Sequence, residues 1–223
     1  MKYEEIISKL KSMRNQRNVE GMARFGINPD NTLGISVYEL RKMAKSIGRN
    51  HALAQKLWDS GIHEARLLAV FTDEPEKVTQ KQMDSWAKDF DSWDVCDQAC
   101  TDLFDQTRFA YKKAGEWASR KEEFVKRGAF ALMAGLAVHD KEGKALEQFL
   151  PLIKRESIDE RNFVRKAVNW ALRNIGKRNR NLNKAAIKTA KEIAKIDSKS
   201  ARWIAADALR ELEGEKVQER LKK

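Results

Sequence analysis

Trp93 and Asp97 stand four residues apart in the stretch SWDVCDQAC, 92–100. On a helix that spacing projects an indole and a carboxylate from one face. A carboxylate held there can offset positive charge developing on a reacting carbon. Spacing alone also describes, and favours, a salt-bridged or solvent-facing aspartate beside a core tryptophan. The surroundings are acidic as well, with Asp84, Asp89, Asp91, Asp94, Asp102 and Asp105 close in sequence. Cys96, Cys100, Leu103 and Phe104 share a stripe of the same segment, the pattern of a buried face, so both cysteines read as small core residues. A metal centre would need further ligands, and His51, His63 and His139 are scattered at no ligand spacing. No metal and no cofactor is expected.

A second group lies in VRKAVNWALR. Trp170, Lys166 and Phe163 follow 4- and 3-residue steps along one helical face. An aromatic interleaved with cations suits contact with a nucleotide, although Trp170 taken alone reads first as a core tryptophan under snorkelling lysines. Beyond it, Arg173, Lys177, Arg178 and Arg180 fill a helix end and the loop after it, with Asn174, Asn179 and Asn181 among them. Side chains of this kind hold phosphate oxygens without reading base sequence. Trp58, Trp86, Trp117 and Trp203 have no such neighbours and read as structural.

The elements that must position these residues are helical almost throughout. Tyr3, Ile6, Ile7 and Leu10 form one stripe. After the loop 25–36, Ser36 and Glu39 have capping-box spacing. Further helices are expected near 37–48, 51–60, 62–72, 76–89, 92–106, 109–118, 121–138, 142–155, 159–176, 182–196 and 199–213, with Ser92 as an N-cap. Four segments share a texture of basic, small and large apolar residues: 64–71, 125–134, 164–175 and 201–212. Arg127, Arg165 and Arg202 recur at spacings of 38 and 37 residues, a period that fits helix-pair repeats. The expectation is an all-α, HEAT-like helical repeat solenoid, residues 1–223 as one domain, with a concave surface lined by the second helix of each pair. Arg127, Arg165, Lys166 and Arg173 fall on those second helices.

Charge sharpens the reading. Residues 1–119 hold 18 Lys and Arg against 18 Asp and Glu, whereas residues 120–223 hold 26 against 15. The whole excess of +11 therefore sits in the second half; a polyanion, most commonly nucleic acid, is its natural partner, and a solvated basic surface accounts for the charge equally well. No apolar run reaches membrane-spanning length. Two cysteines four apart cannot staple a chain of 223 residues, so a reducing cytoplasm is expected; a prokaryotic, nucleoid-associated location is the accompanying expectation.

With these residues in hand, the sequence resembles the DNA alkylation repair proteins of the AlkD type, which are HEAT-like DNA glycosylases. The resemblance runs through MARF (22–25), LGIS and ELRK (33–42), SWDVCD (92–97), KRGAFAL (126–132) and NFVRKAVNWALRN (162–174). It implies hydrolysis of the glycosidic bond of purines alkylated at N3 or N7 in double-stranded DNA, by a monomer without a membrane anchor. It also implies that Trp93 and Trp170 pack against the sugar and backbone of the lesion nucleotide. Asp97 would position water and stabilise charge at the anomeric carbon, and Arg127 would hold the DNA near it. Phe25 stands where the family has tyrosine, and Asn162-Phe163 where it often has two aromatics; both Phe25 and Phe163 are expected at the DNA. Relatives that bind branched DNA without glycosylase activity keep a second function open, and a protein-interaction scaffold is a third.

Overall fold

The computed structural model describes residues 1–143 and 145–222, and no strand is formed among them. The chain divides into two units, Met1–Arg108 and Phe109–Lys223. The first holds 16 Lys and Arg against 17 Asp and Glu, and the second 28 against 16.

The first unit contains α1 (Tyr3–Ser12), α2 (Gln16–Arg24), α3 (Val37–Ile47), α4 (His51–Asp59), α5 (His63–Thr72), α6 (Gln80–Lys88) and α7 (Trp93–Asp102). A short 3-10 turn follows at Phe104–Gln106. α5 packs on α1, α3, α4 and α7. Of its residues only Arg66 and Phe71 escape burial, because a helix enclosed on several sides must be apolar nearly all round. Beside it Trp58 and Trp86 stack with ring centroids 3.9 Å apart and planes 2° from parallel. The Trp58 indole N–H donates to Asp89 Oδ2 at 2.8 Å.

Two polar residues at the start of α5 break its apolar pattern. Glu64 is fully buried. Its Oε1 accepts hydrogen bonds from the backbone N–H groups of Leu33, Gly34 and Ile35 at 3.0, 2.6 and 3.2 Å, and its Oε2 from Leu33 at 2.8 Å. Successive amides aimed at one carboxylate form a backbone nest turned inward. Gly34 sits in it with φ +82°, and a Cβ there would collide with the Asn15 carbonyl oxygen. Glycine alone meets both demands.

The second unit contains α8 (Ala110–Trp117), α9 (Glu123–His139), a 3-10 turn at Leu146–Phe149, α10 (Leu150–Glu156), α11 (Asn162–Gly176), α12 (Arg180–Ile193), α13 (Lys199–Leu212) and α14 (Glu215–Lys222). α11 packs on α9, α10, α12 and α13, and α8 on α9. From Arg127 to Ala137 every residue of α9 is buried. The repeat period is written in the bonds between neighbouring pairs. Residues 38 apart are joined at Lys154–Glu192 (2.7 Å), Asn169–Asp207 (2.7 Å) and Arg173–Glu211 (2.7 Å). In the first unit the step is 31 residues, at Trp58–Asp89, His63–Asp94 and Leu33–Glu64.

The structure departs from the sequence expectations at definite points. Helices α2 and α14 have no counterpart among them. The segment expected as one helix over 92–106 is divided at Leu103 (φ −135°, ψ −59°). The helix expected over 142–155 begins only at Leu150, with Pro151 in its first turn; Lys144, also in that span, lies outside the described residues. The Ser36 hydroxyl does accept from the Glu39 N–H at 3.3 Å. Cys96, Cys100, Leu103 and Phe104 are all fully buried.

Replacing Glu64 by alanine strands three buried amide groups. We expect a loss of roughly 3–5 kcal/mol in unfolding free energy, with Glu64→Gln losing less because one carbonyl oxygen remains to accept. Urea unfolding of the three proteins measures this, and an alanine variant as stable as the parent would contradict the account.

Candidate nucleic-acid interface

In the first unit the site begins where α7 begins. Ser92 occupies the N-cap position, yet its hydroxyl does not cap the helix. It accepts instead from the Asn28 N–H at 2.9 Å, which corrects the expected cap. Asn28 Nδ2 also donates to Asp91 Oδ2 at 3.2 Å, so the loop after α2 is laced to the segment before α7. The lacing continues with Trp93, whose indole N–H donates to the carbonyl of Phe25 at 3.0 Å. Two residues expected at the DNA, Phe25 and Trp93, are thus brought together. Phe25 is 75% exposed, a large apolar residue left in water at the C-cap of α2.

Asp97 lies one turn on from Trp93 and is 9% exposed. Its backbone carbonyl accepts from the Thr101 hydroxyl at 2.9 Å. A cleft of about 560 Å³ opens beside Trp93, bounded by α2, the 34–37 segment, Leu67 and Asp94. Asp94, rather than Asp97, stands on its wall. Behind that wall His63, itself buried, meets Asp94 Oδ2 through Nε2 at 2.9 Å. Burial by itself disfavours the charged imidazole. The hydrogen bond to Asp94 and the charges of Asp94, Glu64 and Asp91 outweigh that penalty and hold the His63 pKa above its ordinary 6.5.

In the second unit Arg127 is buried, with Nη1 donating to the Phe163 carbonyl at 2.6 Å. Phe163 also packs against Phe124 at 5.5 Å between ring centroids. Farther along α11, Lys166 is exposed and Trp170 half-buried. Among the described residues neither the Lys166 ammonium nor the Trp170 indole N–H has a bonding partner. The Arg165 guanidinium sits 5.0 Å over the ring of Trp203, which is 39% exposed. Trp203 is therefore an exposed ring with a cation above it, not the structural residue expected from the sequence.

The other expected phosphate ligands are engaged within the fold. Arg173 and Lys177 bind the Glu211 carboxylate at 2.7 and 2.8 Å. Burial by itself would raise the Glu211 carboxyl, but the hydrogen bonds and charges of Lys177 and Arg173 outweigh it and hold it below its usual range. Arg178 donates to the carbonyls of Asp140 and Lys141 at 2.5 and 2.8 Å, and Arg180 to those of Leu221 and Lys222 at 2.7 and 3.1 Å. Among the described residues no helix is long and apolar enough to cross a membrane, and no cluster of His, Cys, Asp and Glu has the form of a metal site.

Sequence reading missed the His63–Asp94 pair, the Glu64 nest and the cleft. The only sequence signal for the first two was an acid and a histidine inside an apolar helix, LLAV preceded by His63-Glu64.

The sequence matches the family model of the DNA alkylation repair enzymes over residues 6–212. An uncharacterized protein of Listeria innocua serovar 6a is 22% identical over 199 residues, covering 87% of each chain. Among solved structures, a protein described as a new family related to the HEAT-like repeat DNA glycosylases, with affinity for branched DNA structures, matches with a TM-score of 0.78. Its identity is 18%, over 99% of this chain and 96% of that one. The likeness assigns the HEAT-like repeat fold.

The raised pKa of His63 has a consequence for stability. The charged pair with Asp94 contributes fully below the imidazole's unfolded pKa, and its contribution is lost as pH rises through the higher folded value. Urea midpoints of the parent are therefore expected to fall between pH 6 and pH 9 by more than those of His63→Gln. An equal fall in both proteins would remove His63 as the source.

Proposed function

The chain belongs to the DNA alkylation repair enzyme family, and from that premise we propose that it is a DNA glycosylase that hydrolyses the N-glycosidic bond of cationic N3- and N7-alkylated purines. The observation that carries the reading is the start of α7. An indole pinned by the Phe25 carbonyl is followed one turn later by the nearly buried carboxylate of Asp97.

The chemistry suits those groups. Loss of a cationic base leaves an oxocarbenium-like sugar. Asp97, already placed, offsets that charge and orients the attacking water without reorganising. Trp93 packs its face on the nucleotide and adds cation–π attraction on the order of 1–2 kcal/mol when desolvated. Alkylation has already made the base a good leaving group, so no strong general acid is needed. In the second unit the exposed Lys166 and half-buried Trp170 supply contacts to the sugar–phosphate chain. Arg127, held on the Phe163 carbonyl, steadies the first turn of α11 from which Phe163, Arg165 and Lys166 project. Arg173, Lys177, Arg178 and Arg180 add to the positive charge of that unit, which attracts a polyanion.

A second reading is favoured by the structural relative, described as having affinity for branched DNA structures, and by Phe25, which lacks the hydroxyl of the family's tyrosine. In it the same surfaces grip a junction or flap without cleaving a glycosidic bond.

Release of 7-methylguanine or 3-methyladenine from methylated duplex DNA tests the first reading. Asp97→Asn is expected to slow release by about 10²–10³-fold, the range for removing one preorganised electrostatic partner. Equal rates for parent and variant would leave Asp97 with no catalytic part. A gel shift that ranks four-way junction above duplex, in a protein that releases no base, selects the second reading.

A further inference from the structure

Helices α11 and α13 are joined by three rungs, Arg165–Trp203, Asn169–Asp207 and Arg173–Glu211, each spanning 38 residues. The last two are hydrogen bonds of 2.7 Å to a carboxylate on α13. The first has no carboxylate. An indole stands in the acid's place, and the Arg165 guanidinium lies 5.0 Å over its ring. Among the described residues that guanidinium has no hydrogen-bond acceptor and no ion-pair partner, and its Nε is buried unsatisfied. A cation over an aromatic face keeps its full charge and its N–H donors. The Trp203 residue stays 39% exposed, although a tryptophan is ordinarily well covered. Lys199 stands one turn before Trp203 on the same stripe of α13. It is exposed, and among the described residues its ammonium has no bonding partner. It is also the first residue of its helix, where the helix dipole opposes a cation, so local structure gives no reason for its charge.

This seam is a different surface from the one that carries Lys166 and Trp170. At about 100° per residue those two lie about 100° and about 140° around α11 from Arg165. An exposed indole flanked by two uncommitted cations suits one base of a single strand together with the phosphates beside it. A paired duplex offers no such base along its length, because its bases already stack on one another. We propose that Trp203 is a stacking platform for a single-stranded arm of branched DNA, with Arg165 and Lys199 on the phosphates next to the stacked base. The proposal rests on the DNA-binding reading above and adds which part of a branched substrate the second unit recognises. It asks no base to leave a duplex, since the base it takes is unpaired before the protein meets it.

The test uses the full-length protein and two end-labelled DNAs read by fluorescence anisotropy: a fully paired duplex, and the same duplex carrying an oligothymidine flap. The parent is expected to bind the flap DNA roughly tenfold more tightly, the effect of one base stacked on an aromatic side chain. Trp203→Ala is expected to lose that preference while binding the paired duplex as the parent does, and Trp203→Phe to keep most of it. Arg165→Gln and Lys199→Gln are each expected to lower the salt slope for flap DNA by about 0.7, the value for one phosphate contact on a single strand. An alanine variant that keeps the preference overturns the platform and leaves duplex binding and base release untouched. A parent that binds flap and paired duplex equally overturns the single-stranded arm, whatever its affinity for a four-way junction. An oligoglutamate peptide that binds the parent but not Trp203→Ala, in the absence of any flap preference, assigns the face to an acidic protein instead. Failure to bind any of these DNAs overturns the platform and the DNA-binding reading together.

Discussion

A buried carboxylate with three amide donors is the constraint on which the first unit depends. Glu64 holds Leu33, Gly34 and Ile35 against the start of α5, and that segment is both a wall of the cleft and the approach to α3. The residue beside it, His63, holds Asp94 in the first turn of α7. Two adjacent polar residues at the start of a largely buried helix thus fix both sides of the space next to Trp93. An unsatisfied amide or charge in such surroundings costs as much as several favourable contacts contribute. The arrangement therefore holds together or fails as a whole.

The two units solve one packing problem with different steps. In the second, bonds join residues 38 apart along successive pairs. In the first, the step is 31 residues. Helical repeats can bury their apolar faces only on neighbours, so each step length is set by the helices and loops a pair contains. The polar bonds then lock the register that the apolar faces leave loose, since packing along a helix face is less directional than a hydrogen bond.

What was legible in the sequence follows from this. The period of the second unit was readable because α9, α11 and α13 repeat a basic, small and apolar texture in step. α2 was not, because QRNVEGMAR buries only Val19 and carries a glycine that patterning counts as a breaker. Trp93 was marked by its residue type and its neighbours. The bond that orients it goes to a backbone carbonyl sixty-eight residues earlier, which no local pattern contains. Ser92 was the right kind of residue for a cap, but a tertiary partner, Asn28, captured its hydroxyl. Charge counting placed the positive excess correctly without revealing which cations were already committed.

The committed cations carry a consequence of their own. Arg173 on α11 and Lys177 just after it share one acid, Glu211, on α13. A phosphate that recruits either cation competes with that acid and sets it free. Occupancy by a polyanion and the tightness of the seam between these helices are then two sides of one thermodynamic linkage. Whatever draws those cations outward loosens the repeat, and whatever tightens the repeat holds them back.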